Sequence, residues 1–188
     1  MRVRLARYRI CLLYTSKLLV LSDSHGDTQA LRRCLEQEPE LDALIFLGDG
    51  CRDLDQVLSQ LHRRLPAYMA KGNCDYNCEY PAEGLAVFEG QLVFYTHGYM
   101  YGVEATLGGI CRTAKARGAD VALFGHTHRP LTLEMPELPR LYNPGSVSRP
   151  RGREGPTYGL LTLQRGQPPQ FELKLVPPII PPGCRDLF

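Results

Sequence analysis

Five short apolar runs in this chain each end in a residue that carries an oxygen or nitrogen donor. Lys17–Ser22 leads into Asp23-x-His25, and Ala43–Leu47 into Gly48-Asp49. Ala67–Ala70 leads to Gly72-Asn73, Leu92–Thr96 to His97, and Val121–Phe124 to Gly125-His126-Thr127-His128. Short apolar runs bounded by turn signals read as buried strands. In open α/β sheets, ligands collect beyond the carboxyl ends of the strands. The pattern therefore restricts the chain to folds that gather Asp23, His25, Asp49, Asn73, His97, His126 and His128 at one sheet edge.

The segments between these runs support an α/β class. Asp27–Glu38 places Ala30, Leu31, Cys34 and Leu35 at helical spacing, with Asp27 as N-cap and Pro39 as stop. Arg52–Arg63 carries Leu54, Val57, Leu58 and Leu61 on one stripe. With a third strand over Leu65–Ala70, the order β-α-β-α-β predicts a parallel sheet. Glu89-Gly90 predicts a hairpin between Leu85–Phe88 and Gln91–Thr96. Val103–Arg117 reads as a further helix capped by Gly118. Leu131–Met135, Arg140–Tyr142, Tyr158–Leu163 and Phe171–Val176 read as mostly antiparallel strands. The expected architecture is a two-sheet α/β sandwich with helices outside both sheets.

Composition narrows the function classes. A net charge of +2 gives no specific nucleic-acid signal and no basic membrane patch. No apolar stretch approaches the roughly 20 residues that span a bilayer. The seven cysteines are odd in number and scattered, which favours reduced thiols and a cytoplasmic setting over a disulfide framework. Cys74 and Cys78 lack a second Cys/His pair at matching spacing, which argues against a zinc finger. Residues 1–16 hold four Arg and no acid, and read as a disordered or non-native extension. A domain over 17–176 and a proline-rich surface tail over 177–188 complete the expected organisation.

The donors suggest their own chemistry. Residues two apart on an extended segment point to one side, so Asp23 and His25 would face one ion together, and His126-Thr127-His128 would repeat the device. Asp23, His25, Asp49 and His128 would bind one ion. Asp49 would bridge to a second ion held by Asn73, His97 and His126. Mixed N/O donors suit first-row divalent metals such as manganese, iron or zinc. Two such ions roughly 3.5–4 Å apart serve in-line phosphoryl displacement by a shared, deprotonated water. Four of the five histidines fall in these motifs, and His62, at the exposed end of a helix, is the exception.

The ordered set Asp23-x-His25, Gly48-Asp49, Gly72-Asn73-Cys74-Asp75, His97-Gly98 and Gly125-His126-Thr127-His128 resembles the signature of calcineurin-like metallophosphoesterases. Tyr142-Asn143-Pro144-Gly145-Ser146 is similar to the NPGS turn of the small bacterial and archaeal YfcE-type phosphodiesterases. The resemblance implies a four-layer α/β/β/α sandwich with two mixed sheets, a two-metal site that often holds manganese, with iron, zinc or nickel as alternatives, and phosphoester hydrolysis. Asp49, Asn73, Cys74 and Asp75 become the candidate catalytic residues. Many phosphoesterases carry His where this chain has Cys74, and that His is thought to bind phosphate and protonate the leaving group. A thiol is a poorer acid there and brings no positive charge. Phosphodiesters with good leaving groups are the expected substrates.

Further expectations concern the pocket walls. Tyr99 replaces the second His of a His-Gly-His pattern, and either donates its hydroxyl or fills the wall. Asp75 reads as hydrogen-bonded to a ligand such as His97 or its loop, or as a turn residue. Asn143 and Ser146 read as braces of the His126–His128 loop. Arg52, Arg149, Arg151 and Arg153 read first as solvated charges and second as guides for substrate. The leading expectation is a cytoplasmic dinuclear-metal phosphodiesterase acting on a small phosphodiester, with homo-oligomers implied only by resemblance. The alternatives are a non-catalytic scaffold of the retromer-subunit kind and a phosphomonoesterase or nucleotidase using the same site.

Overall fold

A computed structural model describes residues 14–61 and 64–179. Nearly all of the N-terminal extension, His62 and the end of the tail thus lie outside the described residues. Two five-stranded sheets carry the fold. The first runs in the order β10 (Gln170–Leu175), β9 (Thr157–Gln164), β1 (Thr15–Leu21), β2 (Ala43–Phe46), β3 (Ala67–Met69). The second runs β4 (Glu83–Phe88), β5 (Gln91–Thr96), β6 (Val121–Leu123), β8 (Arg140–Asn143), β7 (Leu131–Leu133). Both are mixed: β1, β2 and β3 are parallel to one another, and β9 pairs antiparallel with β1 and β10. β1 begins at Thr15, paired with Gln164, two residues before the expected start of the domain.

Alternation along β1 sorts its side chains between two cores. Leu18 and Val20 enter the layer between the sheets with Ile45, Val93, Tyr95, Leu123 and Tyr142. Leu19 and Leu21 face the other way, onto α1 (Thr28–Gln37) and α2 (Cys51–Gln60). A third cluster packs α3 (Gly108–Ala116) on the outer face of the second sheet, through Ile110 and Ala114 against Phe94 and Ala122. The result is the expected four-layer α/β/β/α sandwich. Because β1 and β2 are buried on both faces, neither could read as alternating polar and apolar residues. An aromatic stack of Tyr142 on Phe171, with centroids 4.6 Å apart, ties the two sheets together.

The expected helix over Val103–Arg117 is a correction. Tyr99–Tyr101 form a 3-10 turn that ends at Gly102 in a left-handed conformation, and the α-helix starts only at Gly108. A Cβ at Gly109 would lie 2.9 Å from the carbonyl oxygen of Tyr101. The chain therefore folds back on its own 3-10 turn where a continuous helix would run on. Glu89 and Gly90 both take positive φ, as a tight hairpin with right-handed twist requires.

One buried carboxylate holds the first sheet's far end. Glu38, 3 % exposed beyond the end of α1, accepts from Lys17 Nζ (3.0 Å), Lys174 Nζ (2.7 Å) and the Tyr158 hydroxyl (3.0 Å). Burial alone would raise its pKa, but these three donors outweigh burial and hold it below the usual glutamate range.

Candidate metal centre

The donors converge through loop geometry rather than extended strands. Asp23, His25, Asp49, His126 and His128 all have positive φ, between 44° and 67°. They are five of the eight non-glycine residues in that region among the described residues. The expectation that two-residue spacing on an extended segment aims Asp23 and His25 together is therefore corrected. Left-handed turns just past β1, β2 and β6 aim these side chains. Such backbone costs about 1–2 kcal/mol per residue and persists only where surroundings fix it.

Those surroundings are specific. Asp23 N donates to Gly48 O (2.9 Å) and His25 N to Asp49 O (3.0 Å), which locks the first two loops together. Asp75 accepts from the backbone N–H groups of Asp49 (2.7 Å), Gly50 (2.9 Å), Cys51 (2.9 Å) and Gly72 (2.8 Å). The ligand it serves is Asp49 rather than His97: it braces the Asp49 loop from behind, in keeping with the expected contact to a ligand loop. Burial acts against its charge, yet the N–H groups hold its carboxyl below the usual range. Ser146 Oγ donates to Asp23 O (2.8 Å), and Asn143 Nδ2 donates to Gly125 O (2.9 Å) and Thr127 Oγ1 (3.1 Å). The NPGS turn thus braces both histidine-bearing loops.

Ligand atoms lie close together. His128 Nε2 is 3.1 Å from Asp23 Oδ1 and 3.2 Å from His25 Nε2. His25 Nε2 is 3.8 Å from Asp23 Oδ1 and 3.8 Å from Asp49 Oδ2. His97 Nε2 is 3.4 Å from Asp49 Oδ2 and 4.0 Å from Asp23 Oδ1. Asp23, His25 and His128 form one group able to hold an ion, and Asp23, Asp49 and His97 another. Cys74 forms a third with His25 and Asp49. The His126 ring stands 5.0 Å from the His97 ring, with its Nε2 4.0 Å from Glu104 Oε1. Asn73 is exposed on the loop whose next residue, Cys74, donates its N–H to Asp49 Oδ1 (2.7 Å).

Two histidines have a defined free face. His97 Nδ1 lies 2.6 Å from Leu47 O, and His128 Nδ1 lies 2.6 Å from Arg149 O. A carbonyl can only accept, so each Nδ1 carries the hydrogen and each Nε2 offers a lone pair. This is the arrangement of histidines that bind metals. Neither Nε2 then has a hydrogen for its neighbouring carboxylate. Asp23 Oδ1 and His97 Nε2 are buried without a hydrogen-bond partner. Lone pairs converging in a buried space suit a cation, and this mixed N/O set fits a divalent metal ion.

Titration behaviour follows from the same crowding. Burial acts against a charge on His97, but the Asp49 and Asp23 carboxylates favour its protonated form and raise its pKa. The Asp23 carboxylate, which favours the protonated ring, raises that of His128 against burial. Burial lowers the pKa of His25 despite Asp23 and Asp49, and burial with His97 lowers that of His126. Asp49 remains ionised: burial disfavours its charge, but His97 and the Cys74 N–H outweigh it. Burial, then Asp49, pushes the Cys74 thiol up to about 11, so it is a neutral thiol near pH 7.

The wall residues fall into place as well. The Tyr99 ring is 6.0 Å from His97 and 6.3 Å from His126, and among the described residues its hydroxyl makes no hydrogen bond. It serves as wall. Glu104 was not anticipated, because a helix from Val103 would have aimed it at solvent. It binds Arg151 at 3.0 Å beside His126. Asp53, in the first turn of α2 at the pocket wall, accepts from Ser24 Oγ (2.6 Å) and Gly26 N (2.8 Å), fixing the His25 loop.

Comparisons with known proteins agree on one family in sequence and one fold in structure. Residues 17–166 match the sequence model of the calcineurin-like phosphoesterase superfamily domain. The probable metallophosphoesterase YsnB of Bacillus subtilis is 34 % identical over 152 residues, covering 78 % of this chain and 84 % of that protein. The phosphodiesterase YfcE of Escherichia coli is 31 % identical over 167 residues, covering 77 % and 86 %. Its solved structure superposes with a TM-score of 0.60 at 28 % identity, over 77 % of this chain and 87 % of that one. Vacuolar Protein Sorting 29 from Cryptosporidium parvum shares the fold, with a TM-score of 0.66 at 15 % identity over 86 % and 97 %.

Proposed function

The chain belongs to the calcineurin-like phosphoesterase superfamily, and from that premise we propose a metal-dependent phosphodiesterase acting on small phosphodiesters. The observation that carries the reading is the pair of buried, partnerless atoms, Asp23 Oδ1 and His97 Nε2, facing each other at 4.0 Å. Asp23, His25, Asp49 and His128 would hold one divalent ion. Asn73, His97 and His126 would hold a second, with Asp49 shared. Manganese is the ion proposed. When bound, such a pair supplies Lewis acidity at the phosphate and a water acidic enough to be the nucleophile at neutral pH.

The chain's own residues do the rest. Asp49 keeps its charge because His97 and the Cys74 N–H lie against its carboxylate. Leu47 O and Arg149 O fix the tautomers of His97 and His128, so both present bare nitrogens without a reorganisation step. Cys74 sits beside Asp49 as a neutral hydrogen-bond donor and brings no charge to the leaving oxygen. Departing groups must therefore be stable anions by themselves. Aryl diesters should be cleaved well and alkyl monoesters poorly.

The relative YfcE is named a phosphodiesterase, which supports the diester assignment. A second reading, a non-catalytic protein-binding scaffold, draws on the fold shared with Vacuolar Protein Sorting 29. The two converging groups, Asp23–His25–His128 and Asp23–Asp49–His97, favour the enzyme. Hydrolysis of bis(4-nitrophenyl) phosphate with manganese, with chelator and by Asp49→Ala separates the two. Turnover that is absent in manganese, or indifferent to chelation and to the substitution, removes the enzymatic reading.

A further inference from the structure

A pocket of about 370 Å³ opens beside His25 and Asp49. Besides Asp49, its wall includes two further acids, Asp53 and Asp75, and two bases, Arg52 and Arg149. The acids are occupied. Asp53 accepts from Ser24 and Gly26, and Asp75 from four backbone N–H groups. The bases are not: both side chains are exposed, and among the described residues neither guanidinium has a hydrogen bond or ion pair. The opposite rim differs, because there Arg151 is neutralised by Glu104 at 3.0 Å beside His126. One side of the centre thus offers free positive charge next to a cavity, and the other offers a closed ion pair.

We propose that this pocket receives one ester arm of the substrate, and that Arg52 and Arg149 bind a second anionic group on that arm. The group is a carboxylate or a phosphate distinct from the scissile one. A guanidinium matches such planar or tripodal oxyanions with charge-assisted hydrogen bonds. The inference rests on the phosphodiesterase reading and narrows its substrate class to diesters that carry additional negative charge.

The test uses the manganese-loaded full chain and three 4-nitrophenyl diesters: the 2-carboxyethyl ester, the phosphocholine ester and bis(4-nitrophenyl) phosphate. The carboxyethyl ester should exceed the phosphocholine ester in kcat/KM by about tenfold, the scale of one charge-assisted hydrogen bond. Arg52→Glu and Arg149→Glu should each shift that ratio toward the choline ester by about tenfold. Calorimetry supplies a readout without turnover. 3-Phosphonopropionate should bind about tenfold tighter than propylphosphonate, and Arg149→Glu should erase the difference. Hydrolysis of bis(4-nitrophenyl) phosphate with no charge preference, or a preference that both variants keep, overturns this inference and leaves the phosphodiesterase reading standing. No hydrolysis of any of the three overturns both.

Discussion

Two buried carboxylates sit at different ends of the same sheet and are treated in opposite ways. Glu38, at the end of α1, is fully served by Lys17, Lys174 and Tyr158. Asp23, at the end of β1, gives Oδ2 to the His126 N–H and to Ser22 but leaves Oδ1 without a partner. A served carboxylate adds stability. An unserved one subtracts it and is retained for what it can bind. The contrast separates the part of this molecule that holds it together from the part that acts.

The largest test breaks the contrast at Asp23. Asp23→Asn removes the orphan charge, so turnover of bis(4-nitrophenyl) phosphate should fall by about 10²–10³-fold. In chelator, the same variant should melt no lower than the parent. A variant that keeps full turnover would show that the unserved oxygen has no catalytic use. Next comes the support behind the site. Asp75→Asn replaces an acceptor of four backbone N–H groups with a weaker one. Manganese affinity, measured by calorimetry, should drop about 10–100-fold.

The served carboxylate should respond in stability instead. Glu38→Gln should cost about 2 kcal/mol in urea unfolding and leave manganese-dependent turnover at the parent value. Glu38 has a folded pKa below its ordinary value, so its contribution is complete above the glutamate range. It is lost as pH falls through that lowered folded pKa, and the two unfolding curves should merge in acid. Curves that stay parallel into acid would place the stabilisation elsewhere. The smallest expected change is at Tyr99. If its ring is wall alone, Tyr99→Phe should alter kcat/KM by less than about twofold, well under the cost of a lost hydrogen bond to a charged group.

The sequence made the strands legible because their apolar runs are short and sharply punctuated. Every run that leads into a donor became strand in its middle, with ends shifted by a residue or two. The donor set was legible for the same reason, since each donor follows such a run. What the sequence hid was the means of convergence. Asp23-x-His25 reads as extended, and nothing in those letters announces that both residues take positive φ. That conformation depends on hydrogen bonds to Gly48 O and Asp49 O and from Ser146 Oγ, groups supplied by segments remote in the chain. The shortened third helix was missed likewise, because Gly102 and Gly109 act through a contact with Tyr101 that helical spacing does not encode. Glu38 was hidden too, as its partners come from three different strands.

The loops after β2 and β3 meet at Gly48 and Gly72. A Cβ on Gly48 would sit 2.5 Å from Gly72 N, and one on Gly72 would sit 2.0 Å from Asp49 Oδ1. Bare backbone against bare backbone makes this junction a hinge pin with no slack. Any attempt to retune the centre by enlarging a residue here would wedge the two ridges apart before it altered the chemistry. Diversification of the active site is thereby channelled outward, to the rim, where Arg52 and Arg149 have room to change.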